Sequence, residues 1–133
     1  MKPALEWCEK TDLCTLAKKM GFNLIFVEMQ KSVYLKDYYP QTRSDFKKYP
    51  TRTWLYETVF IDLYNSKLIP NKIKNYAIGL STGGRGAAIM ALEHPNIFSA
   101  VASLSGDFDP LLQKNDNLMT CLAIYFIIFF VFC

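Results

Sequence analysis

Residues 76–92 read YAIGLSTGGRGAAIMAL, and this stretch decides the fold. The segment leading into it, Lys72 to Leu80, begins basic and turns apolar, as a strand buried in a sheet does. The segment leaving it, Gly83 to Glu93, is small and apolar, as a helix packed tightly on a sheet is. Between them lies Gly79-Leu80-Ser81-Thr82-Gly83, a G-x-S-x-G sequence. Alone the pentapeptide is weak evidence, because five-residue matches arise by chance. Its context makes it specific: strand, turn and helix in that order are what a nucleophile elbow requires. Such a turn strains the backbone at the serine, so its neighbours must be small. Gly79 and Gly83 leave that room, and Gly84 and Gly86 let the following helix approach the sheet. Ser81 is then the candidate nucleophile. The N–H of Thr82 is a candidate oxyanion-hole donor, reinforced by the positive end of the helix dipole. A Walker loop would need G-K-[ST], and a dinucleotide fingerprint G-x-G-x-x-G; the sequence has neither here.

Working outward, the same alternation continues. Thr11 to Met20 carries Leu13, Leu16, Ala17 and Met20 at helical spacing, with Thr11 or Asp12 as N-cap and Gly21 as the stop. Phe22 to Met29 is a nearly continuous apolar run, as a strand covered on both faces is. Gln30 to Thr53 has two prolines, scattered charges and no sustained period, which predicts a long loop. Trp54 to Asn65 returns to helix, with Tyr56, Phe60 and Leu63 on one stripe and Glu57 and Asp62 toward water. Phe98 to Leu104 is a third strand, closed by Ser105-Gly106. Helices alternating with buried strands predict the α/β class: a parallel, open sheet with flanking helices.

The 133 residues amount to one domain, and 51% apolar with 20% charged residues fits a globular chain. A net charge of +3 is too small to suggest nucleic acid. The four cysteines, Cys8, Cys14, Cys121 and Cys133, form no C-x-x-C pair, and with one histidine they predict no zinc site. Charges interrupt every apolar run in the first twenty residues, so no signal-peptide core is expected. The thiols are therefore expected to be reduced and the compartment cytoplasmic.

At Leu118 the character changes. LMTCLAIYFIIFFVFC, residues 118–133, runs without a charge. A bilayer span needs about 20 apolar residues, so this run falls short, and a tail anchor is the alternative to a soluble location. Membrane contact by the tail is the weaker expectation. The division expected is a partial α/β domain over 1–117 and an apolar tail over 118–133, foreign to the native fold and arising from a frameshift or a premature end, with a native buried strand or helix as a lesser alternative.

The stretch YAIGLSTGGRGAAIMALEHPNIFSAVASLSGDFDP resembles the core of the putative esterase family of α/β-hydrolases, which includes esterase D, feruloyl esterases and mycolyltransferases. GLSTGG at Gly79 to Gly84, Glu93-His94-Pro95 and Leu104-Ser105-Gly106 carry the resemblance. Upstream, LAKKMGFNLIFVEMQKSVYLKDYY resembles that family's helix, strand and tyrosine-bearing loop around Tyr34. The resemblance implies a partial α/β-hydrolase fold and a serine hydrolase acting on a small carboxylic ester or thioester. It implies no metal and no cofactor.

The departures are as informative. The family's triad runs serine, acid, histidine, with the last two well after the elbow. The one histidine, His94, lies at the far end of the elbow helix, roughly 20 Å from Ser81 at 1.5 Å per residue. A general base must come within about 3 Å of the hydroxyl it deprotonates. Asp107 and Asp109 follow the third strand and are candidate acids, or else a polar turn ending in Asp109-Pro110. The expectation is a truncated, inactive esterase, with a non-catalytic fragment or a membrane-tethered remnant as the alternative.

Overall fold

Four strands form a single sheet in the computed structural model, which describes residues 5–29, 32, 34–37, 51–69, 74–106 and 108 and the backbone of 127–132. They are β1 (Phe22–Val27), β2 (Asn75–Leu80), β3 (Phe98–Leu104) and β4 (Ile127–Phe132), in the spatial order β1-β4-β2-β3. β2 and β3 are parallel. β4 is antiparallel to both β1 and β2, so β1 and β2 run in the same direction with one strand between them. The parallel framework flanked by helices is a partial α/β fold, as the alternating sequence pattern predicts.

The first helix divides in two. α1 (Glu6–Lys10) precedes α2 (Leu13–Lys19), and the break falls at Thr11-Asp12. There the Thr11 hydroxyl accepts the N–H of Leu13 at 3.2 Å, a local turn that competes with continued helix. Gly21 ends the segment with φ +75°, a conformation that costs glycine little. α2 packs beside β1 at the rim of the sheet, so only Ala17 is buried, while Leu16 and Met20 stay exposed. The stripe that periodicity predicts is thus only partly used.

Cys8 and Cys14 are joined by a disulfide, with Cα atoms 5.1 Å apart. This corrects the expectation of reduced thiols for that pair. The two cysteines face each other because the break at Thr11-Asp12 folds α1 back on α2. Spacing alone could not show that.

Thr51–Asn65 is helical throughout, starting three residues before the predicted Trp54. α3 (Thr51–Trp54) passes through a π-helical turn, Leu55–Val59, into α4 (Phe60–Asn65). A π turn admits an extra residue and rotates the helix beyond it. Leu55 is fully buried and Phe60 nearly so, while Tyr56, Val59 and Leu63 pack partly against the core. Leu55 lies off the stripe that an unbroken α period predicts. Glu57 and Asp62 are exposed, as expected.

The core joins Val27, Met29, Tyr34, Leu55, Phe60, Ala77, Ala87, Met90 and Phe98. It lies between the sheet, α5 (Thr82–Glu93) and the helical stretch 51–65. β3 is a rim strand: of its residues Phe98 is buried and Ser103 half-buried, and Val101 and Leu104 are exposed. Residues 118–126 and Cys133 of the apolar tail, and most of the loop predicted over 30–53, lie outside the described residues. No described helix is long and apolar enough to cross a membrane.

Candidate active site

Ser81 stands between the last residue of β2 and the first of α5. Its backbone has φ 55° and ψ −123°, a region that L-residues other than glycine seldom enter. Two hydrogen bonds hold it there. The Ser81 N–H donates to the Leu104 carbonyl at 2.7 Å, which ties the turn to the end of β3. The Ser81 carbonyl accepts the Arg85 N–H at 3.1 Å, which starts α5. Such local strain persists only where surrounding structure over-determines it.

The surrounding glycines explain how. A Cβ at Gly79 would overlap the carbonyl group of Gly83 and lie 2.7 Å from the Gly84 nitrogen. The end of β2 and the start of α5 therefore pass in direct backbone contact. A Cβ at Gly84 would come within 2.8 Å of Ser103 Oγ and 3.0 Å of the Leu104 carbonyl. Gly83, Gly84 and Gly86 are all buried. Thr82, half-buried, is the first residue of α5, so its N–H is among those a helix leaves without an intrahelical acceptor. These groups converge at the carboxyl edge of the parallel strands, where open α/β sheets place ligand sites.

A second residue with positive φ lies next to the first. Ser105 has φ 51° and directly follows Leu104, whose carbonyl holds Ser81. The sequence pattern marks Ser105-Gly106 only as a strand end, and the S-G dipeptide is the available signal for so tight a turn. Tyr34 also has positive φ, 56°, and is buried to 2% exposure. Its ring lies where a side chain at Gly86 would have to go. The Tyr34 N–H donates to Ser32 Oγ at 3.2 Å, and Ser32 Oγ donates to Thr51 Oγ1 at 2.7 Å. Burial pushes the Tyr34 phenol far above its ordinary range, so it stays protonated, and its Oη has no hydrogen-bond partner among the described residues.

His94 caps the opposite end of α5. Twelve helical residues stand between it and Ser81, which puts the two about 20 Å apart at 1.5 Å per residue. Its ring stands edge-on to Tyr56 and Phe60, with centroids 4.5 and 5.6 Å away. Burial, and then the positive charge of Arg52, lowers its pKa. Beside it, the Arg52 guanidinium pairs with the Glu93 carboxylate, through Nε at 3.1 Å among other contacts, and the Tyr56 hydroxyl donates to that carboxylate. The histidine belongs to a pin between the 51–65 helix and the C-terminal end of α5, remote from Ser81.

Asp107 and Asp109 lie outside the described residues. Among the described residues, no group of three or more His, Cys, Asp or Glu side chains is placed to hold a metal ion.

A family model described as "Putative esterase" matches residues 27–120. No curated protein and no solved structure matches the chain. The matched span takes in the last residue of β1, the 51–65 helix, β2, the Ser81 turn, α5 and β3.

Proposed function

The chain belongs to the putative esterase family, and from that premise we propose that Ser81 is the nucleophile of a serine esterase acting on a small carboxylic ester or thioester. The observation that carries this reading is the backbone of Ser81, φ 55° between a buried strand and a glycine-rich helix. In a nucleophile elbow such a backbone presents the serine hydroxyl at the edge of the sheet, where an ester carbonyl can reach it. Ser81 Oγ attacks the carbonyl carbon, the alcohol or thiol leaves, and water then releases the acid from the acyl-enzyme. The Thr82 N–H supplies one donor to the oxyanion. Gly79, Gly83 and Gly84 keep the turn narrow enough for both roles.

A second reading rests on His94. The only histidine of these 133 residues is held at the far end of α5 by Tyr56 and Phe60. No imidazole among them reaches Ser81, so the hydroxyl stays protonated and weakly nucleophilic. These residues alone are therefore a non-catalytic or very slow form of the enzyme, and the base must come from elsewhere. Asp107 and Asp109 remain candidate acids on the strength of their position after β3.

Both readings are tested with a fluorophosphonate probe and p-nitrophenyl acetate on the purified chain. Slow labelling that disappears in Ser81→Ala, with negligible turnover, supports both. Labelling that survives Ser81→Ala removes the nucleophile assignment. Rapid turnover that survives His94→Ala but not Ser81→Ala removes the second reading.

A further inference from the structure

Between β1 and β2 lies a gap one strand wide, which β4 fills. β1 and β2 are parallel and level: Asn23 and Asn75 both stand beside Val131, and Val27 and Gly79 both stand beside Ile127. Two neighbouring strands span roughly 9.6 Å across the gap, twice the ordinary strand spacing. β1 and β2 cannot hydrogen-bond to each other over that distance. Among the described residues, β1 has no sheet partner other than β4. The link between β1 and the rest of the sheet is therefore the segment Ile127–Phe132.

That segment suits the gap in two ways. Its sequence, IIFFVF, is made entirely of β-branched and aromatic residues, which favour strands. It has no charge to bury between two apolar strands; Phe129 stands beside Ile25 and Ala77, and Ile128 beside Phe26 and Ile78. It also runs against the direction of every other strand. A strand that grew as part of the alternating helix–strand pattern would run parallel. An antiparallel strand in this place enters as an added segment does, recognised through its backbone on both edges.

We propose that the gap between β1 and β2 is a strand-binding site, and that this chain's own residues 127–132 occupy it as a complementing strand. The apolar tail is then foreign in direction and composition, yet it is what closes the sheet.

The test uses the full chain. In native-state hydrogen exchange, the amides of 127–132 and of 22–27 are expected to exchange slowly and at matching rates, and to open together. Exchange of 127–132 at the rate of an unstructured peptide, with 75–80 still protected, would overturn the proposal. A second measurement inserts a specific protease site after Asn117 in the full chain. After cleavage under native conditions, the two pieces should co-elute and separate only in denaturant. Release of the tail piece with protection of 22–27 unchanged would overturn the proposal as well. Finally, Phe129→Pro removes a ladder donor at the middle of β4. Loss of protection in 22–27 ahead of that in 85–93 is expected; equal protection of 22–27 in the variant and the parent would count against the site.

Discussion

The aromatic ring of Tyr34 fills the space that a side chain on Gly86 would need, so the loop after β1 and the second turn of α5 are locked by one large residue and one absent side chain. This contact fixes α5 five residues after Ser81. Gly86→Ala should force the ring aside and destabilise the fold by about 1–3 kcal/mol, as overpacking of a tight core does. Tyr34→Phe should do the opposite. Its Oη is buried without a partner among the described residues, and deleting such a group is neutral or stabilising, by up to about 1 kcal/mol. Urea unfolding of the two variants, compared at equal m-value, checks both signs.

Ser81 combines strain with the proposed chemistry, so the two should separate on substitution. Ser81→Gly keeps the turn and relieves the φ of 55°. Stability should rise by about 1 kcal/mol, toward the lower end of the usual cost of such strain. Fluorophosphonate labelling should vanish in the same variant. Thermal melting beside gel fluorescence reads both; a fall in melting temperature would mean that the turn is not strained.

His94 gives the fold a pH dependence of definite sign. Its folded pKa lies below the unfolded value of about 6.5, first because of burial and second because of Arg52. The unfolded chain therefore binds more protons near that pH, and stability rises with pH there. The contribution is complete above about 6.5 and is lost as the pH falls from there through the lower folded pKa. Replacing the ring by a neutral one, His94→Phe, should flatten this part of the stability curve measured by denaturant titration between pH 7.5 and 4.5.

The Cys8–Cys14 bridge closes a short loop between α1 and α2. Chain-entropy reasoning gives about 2 kcal/mol for a loop of this size. α1 has no buried residue, so the loss on reduction should stay local. Reduction should raise hydrogen exchange in 6–19 and leave 85–93 unchanged. Peptide mapping without reductant should recover residues 8 and 14 in one cross-linked fragment.

How far the sequence could be read varies along the chain. The Ser81 turn was legible because its signals are local: an apolar run, a glycine on each side, then small residues at helical spacing. β3 was legible for the same reason, and its ends agree with the expected ones. Leu55 was missed because the π turn that buries it depends on packing rather than on spacing. β4 could not be assigned, since a charge-free run without a period suits helix and strand alike. Its place in the sheet depends on β1 and β2, far away in sequence. The disulfide was missed because compartment reasoning was applied to cysteines whose pairing depends on a helix break.

The pairing of β1 with β4 also sets a timetable. Val27 meets Ile127, a separation of 127 − 27 = 100 residues. During synthesis at about 5–20 residues per second, β1 leaves the ribosome roughly 5–20 s before the strand that will pair with it. For that interval FNLIFV is an apolar strand with two open edges. Non-local pairing of this kind folds slowly. The vulnerable moment for this chain is thus before residues 127–132 emerge, when a chaperone or a neighbouring nascent chain can reach β1 first.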